Sequence, residues 1–458
     1  MNDDPLRSYA DENRDRFLDE LEQYLSIPSI STDEDQSHEV ERCANWLADH
    51  LREIGIAKTE VHKTDGHPIV YAEHAPHPDR PTILIYAHYD VQPPDPLEEW
   101  DSPPFEPTVR DGKIFARGAT DDKGQFFAHV KGLETHLATN GELPVNVKLL
   151  VEGEEEVGSI HLEDWVAEHR DKLACDAVVI SDSAMFAPGL PTITYGLRGL
   201  SYFEISVRGP SHDLHSGLYG GSVPNPINVL AKMIAQLHDD QGRVTIPEFY
   251  ESVRPLTDEE REAFAKLPFD ESEFLEESGA PGLHGEEGYS TLERRWARPT
   301  LDCNGIWGGY TKPGAKTVLP STAHAKISCR LVPDQDPERI TDLAESHLQE
   351  LAPDYVELQF ESHHGGYPVI GDLDNPTVRA ACDALERSWG REAVFTRSGG
   401  TIPVCSTFDR VLGVPTVLMG FGLNDDRLHS PNEKFNVENF HKGIETSTYL
   451  WDELANGA

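Results

Sequence analysis

Five short stretches of this chain carry side chains able to hold a metal ion or move a proton, and three of them stand where an apolar run ends. In YAHYD, Tyr86 to Asp90, a neutral imidazole at His88 can bind a metal while Asp90 accepts the other ring N–H and fixes the tautomer. GATDDKG, Gly118 to Gly124, sets Asp121 and Asp122 before a helix expected from near Gln125, with glycines on both sides that imply a tight backbone. EGEEEVGS, Glu152 to Ser159, gathers acids at the end of an apolar run, where burying them unpaired is costly and cations remove the cost. Asp182 in ISDS ends another apolar run, and His429 lies in the loop LHSPNEKF. Each stretch taken singly has a plainer explanation. The chain has 21 histidines, so one beside an aspartate is ordinarily just hydrogen-bonded; an Asp-Asp pair can be a helix cap; an acidic loop can be solvated. Together they place two histidines and several carboxylates at successive strand ends, a mixed nitrogen and oxygen set suited to two zinc-like or manganese-like ions that share a carboxylate.

Strands and helices must alternate to deliver these groups to one place. Thr82 to Ala87, Asn146 to Val151 and Ala177 to Ile180 are continuous apolar runs of strand length, whereas Asp11 to Leu25, Glu39 to Ile54 and Gln125 to Thr139 repeat with helical period. That alternation predicts an α/β layer with a mainly parallel sheet, whose ligands gather at the carboxyl ends of the strands. Near Gly199 the pattern changes. Strands over Leu200 to Val207, Leu301 to Gly308, Ala323 to Leu331 and Tyr355 to Glu361, with helices over Pro226 to His238 and Glu338 to Leu351, give the order β-α-β-β-α-β once an acidic, mostly helical insertion (Pro247 to Trp296) is set aside. This is the ferredoxin-like α+β arrangement. The α/β pattern then resumes with a helix over Pro376 to Ser388 and a strand over Pro415 to Gly420. The expected organisation is therefore a catalytic domain in two parts, 1–198 and 365–458, interrupted by an inserted domain, 199–364.

Composition narrows the partners. Against 39 basic residues stand 81 acidic ones, a net charge of −42. That field repels phosphate backbones and anionic lipid, so neither nucleic acid nor a membrane surface is an expected partner. Lysine is scarce and acids are scattered over expected helix surfaces such as Asp258-Glu259-Glu260, the pattern of a halophilic protein in a salt-rich cytoplasm that screens self-repulsion. The six cysteines are scattered without a CxxC pair, which fits a reducing compartment, and the first residues lack an apolar signal segment. The expected location is cytoplasmic.

With all five motifs in order from end to end, the chain resembles the co-catalytic two-metal metallopeptidases. These include cytosolic nonspecific dipeptidases, carnosinases, glutamate carboxypeptidase, and acetylornithine and succinyl-diaminopimelate deacylases. TDDKG, DLHSG (Asp213 to Gly217), ISCRLVP (Ile327 to Pro333) and HSPNEK (His429 to Lys434) bring it nearest to the dipeptidase branch. The resemblance implies that His88 and Asp182 hold one divalent ion, Glu156 and His429 the other, and Asp121 bridges them, with zinc, manganese or cobalt as the metal. It implies Glu155 as general base, Asp90 as orienter of His88, and hydrolysis of short peptides by a hydroxide bridging the two ions. It further implies that the inserted domain is a lid and homodimerisation module, that His215 reaches the other subunit's site, and that Arg330, Thr317 and Thr401 contact substrate. A deacylase of N-acyl amino acids and a non-catalytic metal-binding member are the competing readings.

Overall fold

A computed structural model of the chain describes residues 4–363 and 365–457. It divides into two compact units: the first takes in the chain up to Tyr195, Gly371–Thr396 and the part from Pro403 onward; the second takes in Gly196–Ile370 and Arg397–Ile402.

At the centre of the first unit four parallel strands lie side by side in the order Asn146–Glu152, Thr82–His88, Ala177–Ile180 and Thr416–Leu418. Both faces are covered, and every residue of Asn146–Glu152 is buried, which is why these strands read as unbroken apolar runs. The register pairs His88 with Glu152 and Tyr86 with Ile180. His88 and Asp182, each two residues beyond that second pair, therefore reach the same level at the carboxyl end. The flanks are antiparallel, with Ile69–His74 and then Lys58–His62 on one side and Thr192–Leu197 on the other. The sheet is thus mixed at its margins and parallel at its core.

Helix Lys123–Asn140 crosses this core and stops at Gly141, whose φ of 75° is the left-handed conformation that ends helices at little cost for glycine. A C-terminal helix, Val437–Gly457, packs on it so closely that a Cβ at Gly132 would lie 2.4 Å from Ser447 Oγ. The expected helix over Asp11 to Leu25 is two helices, Pro5–Glu12 and Arg14–Leu25. Asn13 between them has φ −105° and ψ 10°, outside helical geometry.

The second unit holds a four-stranded antiparallel sheet in the spatial order Thr300–Gly308, Thr322–Leu331, Gly199–Arg208, Glu357–Ser362. Buried and half-buried residues alternate along Gly199–Arg208, so one face is core. Phe203, Ile205 and Val207 meet Leu230 and Met233 of helix Pro226–Ala235 and Ile340, Ala344 and Leu348 of helix Pro337–Leu351. Chain order and spatial order together are ferredoxin-like. The acidic insertion forms helices Asp258–Ala265, Glu271–Ser278 and Thr291–Ala297. Capping boxes start two of them, Thr257 with Glu260 and Ser290 with Glu293. Buried Glu286 pins the insertion through Arg298 (2.6 and 2.8 Å) and Arg243 (3.0 Å).

Candidate metal centre

Three strand ends, one pre-helical turn and one late loop of the first unit bring six side chains together. His88 ends its strand, Asp182 lies two residues past Ala177–Ile180, and Glu155 and Glu156 form a single helical turn after Asn146–Glu152. Asp121 precedes helix Lys123–Asn140, and His429 follows Thr416–Leu418 in a loop. Asp121 is the hub. Its Oδ1 lies 3.1 Å from His88 Nε2 and its Oδ2 lies 3.0 Å from His429 Nε2. His88 Nε2 is also 4.0 Å from Asp182 Oδ2, and His429 Nε2 is 3.3 Å from Glu156 Oε2. Two groups of three potential ligands result, His88–Asp121–Asp182 and Asp121–Glu156–His429, and Asp121 belongs to both.

Asp90 performs more than one task. Its carbonyl oxygen is 3.1 Å from His88 Nδ1 and its carboxylate 3.4 Å away. The same carboxylate accepts the backbone N–H of Glu155 (3.3 Å) and of Glu156 (3.1 Å), so one buried residue fixes the imidazole and the turn carrying both glutamates. Asp122, joined to Asp121 by a cis peptide, is fully buried, and neither of its carboxylate oxygens has a hydrogen-bond partner among the described residues.

Electrostatics tests whether cations fit. Burial pushes Asp182 up to about 7, reinforced by Asp121. Burial likewise raises Glu155 well above the carboxylate range; His88 opposes the rise while Asp182, Glu156 and Asp121 add to it. The histidines respond in the opposite sense. Hydrogen bonds to Asp121 and Glu156 raise His429 to about 10, and at His88 the bonds to Asp121 and Asp90 overcome the lowering by burial. Crowded acids thus draw positive charge into the cluster. Two divalent cations supply that charge and leave both imidazoles neutral, as ligation requires. The donor set fits.

A third group with ligand-like spacing, Glu20, His50 and Glu134, does not fit. Lys131 Nζ sits among them, 2.7 Å from His50 Nε2, 2.8 Å from Glu134 Oε2 and paired with Glu20. An ammonium already takes the cation's place.

The remaining expected site residues lie in the second unit as two pairs. Arg330 Nη1 donates to Thr401 Oγ1 at 3.0 Å, and Thr401 donates to the carbonyl of Arg198 at 2.6 Å. Arg330 has no carboxylate within 4 Å among the described residues, although the chain is strongly acidic. His215 and Thr317 are both exposed and are linked through Ser216, whose N–H donates to the Thr317 carbonyl at 3.1 Å. His215 Nδ1 accepts the Gly217 N–H at 3.0 Å. Its neighbour Asp213 is engaged elsewhere, with the Ser321 N–H (3.0 Å) and Lys316 (3.4 Å).

Two participants escaped the sequence reading. Gln92 donates to Glu156 Oε2 at 2.9 Å and stands two residues after Asp90, a spacing with no meaning of its own. Glu433, inside HSPNEK, is fully buried and reaches the loop that carries Asp121.

Residues 84–453 match the family model described as Peptidase family M20/M25/M40. The Cys-Gly metallodipeptidase DUG1 of Candida albicans is 34% identical over 464 residues, which cover 96% of this chain and 95% of that protein. The human Beta-Ala-His dipeptidase is 32% identical, with 98% and 92% covered. Among solved structures, the M20 family metallo-carboxypeptidase Sso-CP2 from Sulfolobus solfataricus superposes with a TM-score of 0.86 at 37% identity, covering 96% of this chain and 99% of that one. The match extends over most of the chain and includes every segment that builds the centre, so the chain belongs to peptidase family M20/M25/M40 and is a metal-dependent hydrolase.

Proposed function

We propose that this chain hydrolyses the peptide bond of dipeptides and other short peptides, using two divalent cations. His88 and Asp182 hold one, Glu156 and His429 the other, and Asp121 bridges them. The observation that carries the reading is the division of the two Asp121 carboxylate oxygens between His88 and His429. The dipeptidase names of the similar proteins support the substrate class. Zinc, manganese or cobalt suits the mixed donor set.

Bound cations would supply Lewis-acid polarisation of the scissile carbonyl and neutralise charge developing on its oxygen. Glu155 accepts a proton from the attacking water and passes it to the leaving amine, a task that suits a carboxylate made more basic by burial and acidic neighbours. Asp90 keeps the Glu155–Glu156 turn and His88 in fixed relation. The ferredoxin-like unit serves as lid and dimerisation module, and His215 completes the site of the other subunit. Because the Gly217 N–H occupies Nδ1, the neutral ring carries its proton on Nε2, which leaves a donor on an exposed side chain for the carbonyl oxygen. Thr317 and Thr401 make further substrate contacts.

Arg330 receives the substrate's terminal carboxylate as a bidentate clamp. Arg330→Ala is expected to raise KM steeply for dipeptides and much less for the same peptides with an amidated C-terminus. Equal losses on both substrates would remove the clamp.

The charge of −42 supports activity in a salt-rich cytoplasm, and among the described residues no helix is long and apolar enough to cross a membrane. One experiment tests the whole reading: protein reconstituted with zinc, manganese or cobalt, assayed on dipeptides, tripeptides and N-acyl amino acids at high and low potassium chloride. Dipeptides are expected to turn over fastest, at high salt. Faster cleavage of N-acyl amino acids would make it a deacylase, and two bound cations without turnover would make it a binding protein.

A further inference from the structure

Glu433 follows His429 by four residues, belongs to neither group of three ligands, and is 0% exposed. Among the described residues, every hydrogen bond its carboxylate accepts comes from the loop that bears Asp121. Oε2 takes Arg117 Nη1 at 2.7 Å and the Gly118 N–H at 3.0 Å. Oε1 takes the N–H groups of Thr120 at 3.0 Å and of Asp121 at 3.2 Å. The Glu433 carbonyl also accepts the Ala116 N–H at 3.2 Å. Its neighbours tie the same stretch down elsewhere: Asn432 accepts the Asp101 N–H (2.9 Å) and donates to the Glu99 carbonyl (2.8 Å), and the Lys434 carbonyl accepts from Thr120 Oγ1 (2.8 Å). Between these anchors the backbone is unusual. Arg427, His429 and Asn432 all have φ near 60°, a left-handed conformation that non-glycine residues hold only where their surroundings enforce it.

We infer that Glu433 is the positioning residue of the metal centre: one carboxylate locks the Asp121 loop to the His429 loop, so that both ligands present themselves to the same cation. The inference rests on the proposed sharing of a cation by Asp121 and His429. An ordinary buried ion pair with Arg117 would explain one of the four contacts. It would not explain three backbone N–H groups from one loop converging on the same side chain. Only an ionised carboxylate accepts from all four donors, because a carboxamide of the same shape has one accepting oxygen and turns a donor toward the N–H groups.

Cobalt(II) titration of the full-length protein, by calorimetry and by ligand-field absorption, tests this on the wild type, Glu433→Gln and Glu433→Asp. Metal-free melting temperature, kcat and KM are measured alongside. Glu433→Gln is expected to weaken the second cobalt equivalent by about 10–100-fold, the usual effect of removing a partner that orients a ligand. The absorption band should change, and kcat should fall with KM nearly constant. Glu433→Asp keeps the charge but is one methylene too short to span both loops, so it should show the same signature in smaller degree, and it decides the matter should Glu433→Gln fail to fold. Lowered metal-free melting with wild-type cobalt affinity and spectrum would overturn the inference and leave Glu433 a structural ion-pair member. Uptake of fewer than two cobalt ions by the wild type would instead sink the two-metal reading, whatever the variants do.

Discussion

Glu155→Gln is expected to lose about 10²–10⁴-fold in kcat, the span attributed to a positioned general base, while retaining both cations. Glutamine matches glutamate in shape but cannot carry the proton from water to the leaving amine. Retention of metal follows from the geometry, since Glu155 belongs to neither ligand group whereas its neighbour Glu156 lies 3.3 Å from His429. Both residues hang from one helical turn gripped by Asp90 through its N–H groups, so the substitution leaves Glu156 in place. Elemental analysis beside kcat is the measurement. A variant that loses one metal equivalent would exchange the roles of Glu155 and Glu156.

The second large effect is recovery from two inactive partners. His215→Ala removes the donor proposed to act across a dimer, a loss of about 10²–10³-fold if it serves as an oxyanion contact. Glu155→Gln removes the base. In a mixed two-fold dimer one site carries both defects and the other neither. Co-refolding equal amounts gives mixed dimers for half the population, each with one intact site, so activity should return to about a quarter of wild type. Absence of recovery, with subunit exchange proven, would confine His215 to its own subunit or remove it from the reaction. The exposure of His215, and the engagement of Asp213 with Ser321 and Lys316, are what make the side chain available for such a role.

The parallel core was readable because Thr82–His88 and Asn146–Glu152 are covered on both faces and so spell continuous apolar runs. The helix Val437–Gly457 was not. Its buried face mixes Gly443, Thr446, Ser447 and Thr448 with Phe440, Ile444, Leu450, Trp451 and Leu454. Thr446 and Thr448 return their hydroxyls to carbonyls one turn back, and Ser447 meets His129. Its apolar residues Phe440, Ile444, Trp451 and Leu454 do fall at helical spacing, but the small polar residues between Ile444 and Tyr449 interrupt the stripe. Lys58–His62, with a burial pattern of one exposed, one buried and three half-buried residues, shows neither an apolar run nor a clean alternation. His88, Asp121 and Asp182 could be singled out since each occupies the end of an element that hydrophobic periodicity locates. Glu433 could not be given a task, because its partners at 117–121 lie in another element and nothing local announces the meeting.

The strand Thr416–Leu418 lies between Ala177–Ile180 and Thr192–Leu197, yet the whole second unit is translated before it. On the ribosome the familiar order, in which the N-terminal domain folds first, is therefore inverted. The ferredoxin-like unit, contiguous except for Arg397–Ile402, has its four strands and both helices in hand while the first unit still waits with the edge of Ala177–Ile180 open. His429 is the last ligand to emerge, so the group it forms with Asp121 and Glu156 is completed only after the whole second unit and Thr416–Leu418 have been made, whereas His88, Asp121 and Asp182 are all present by residue 182.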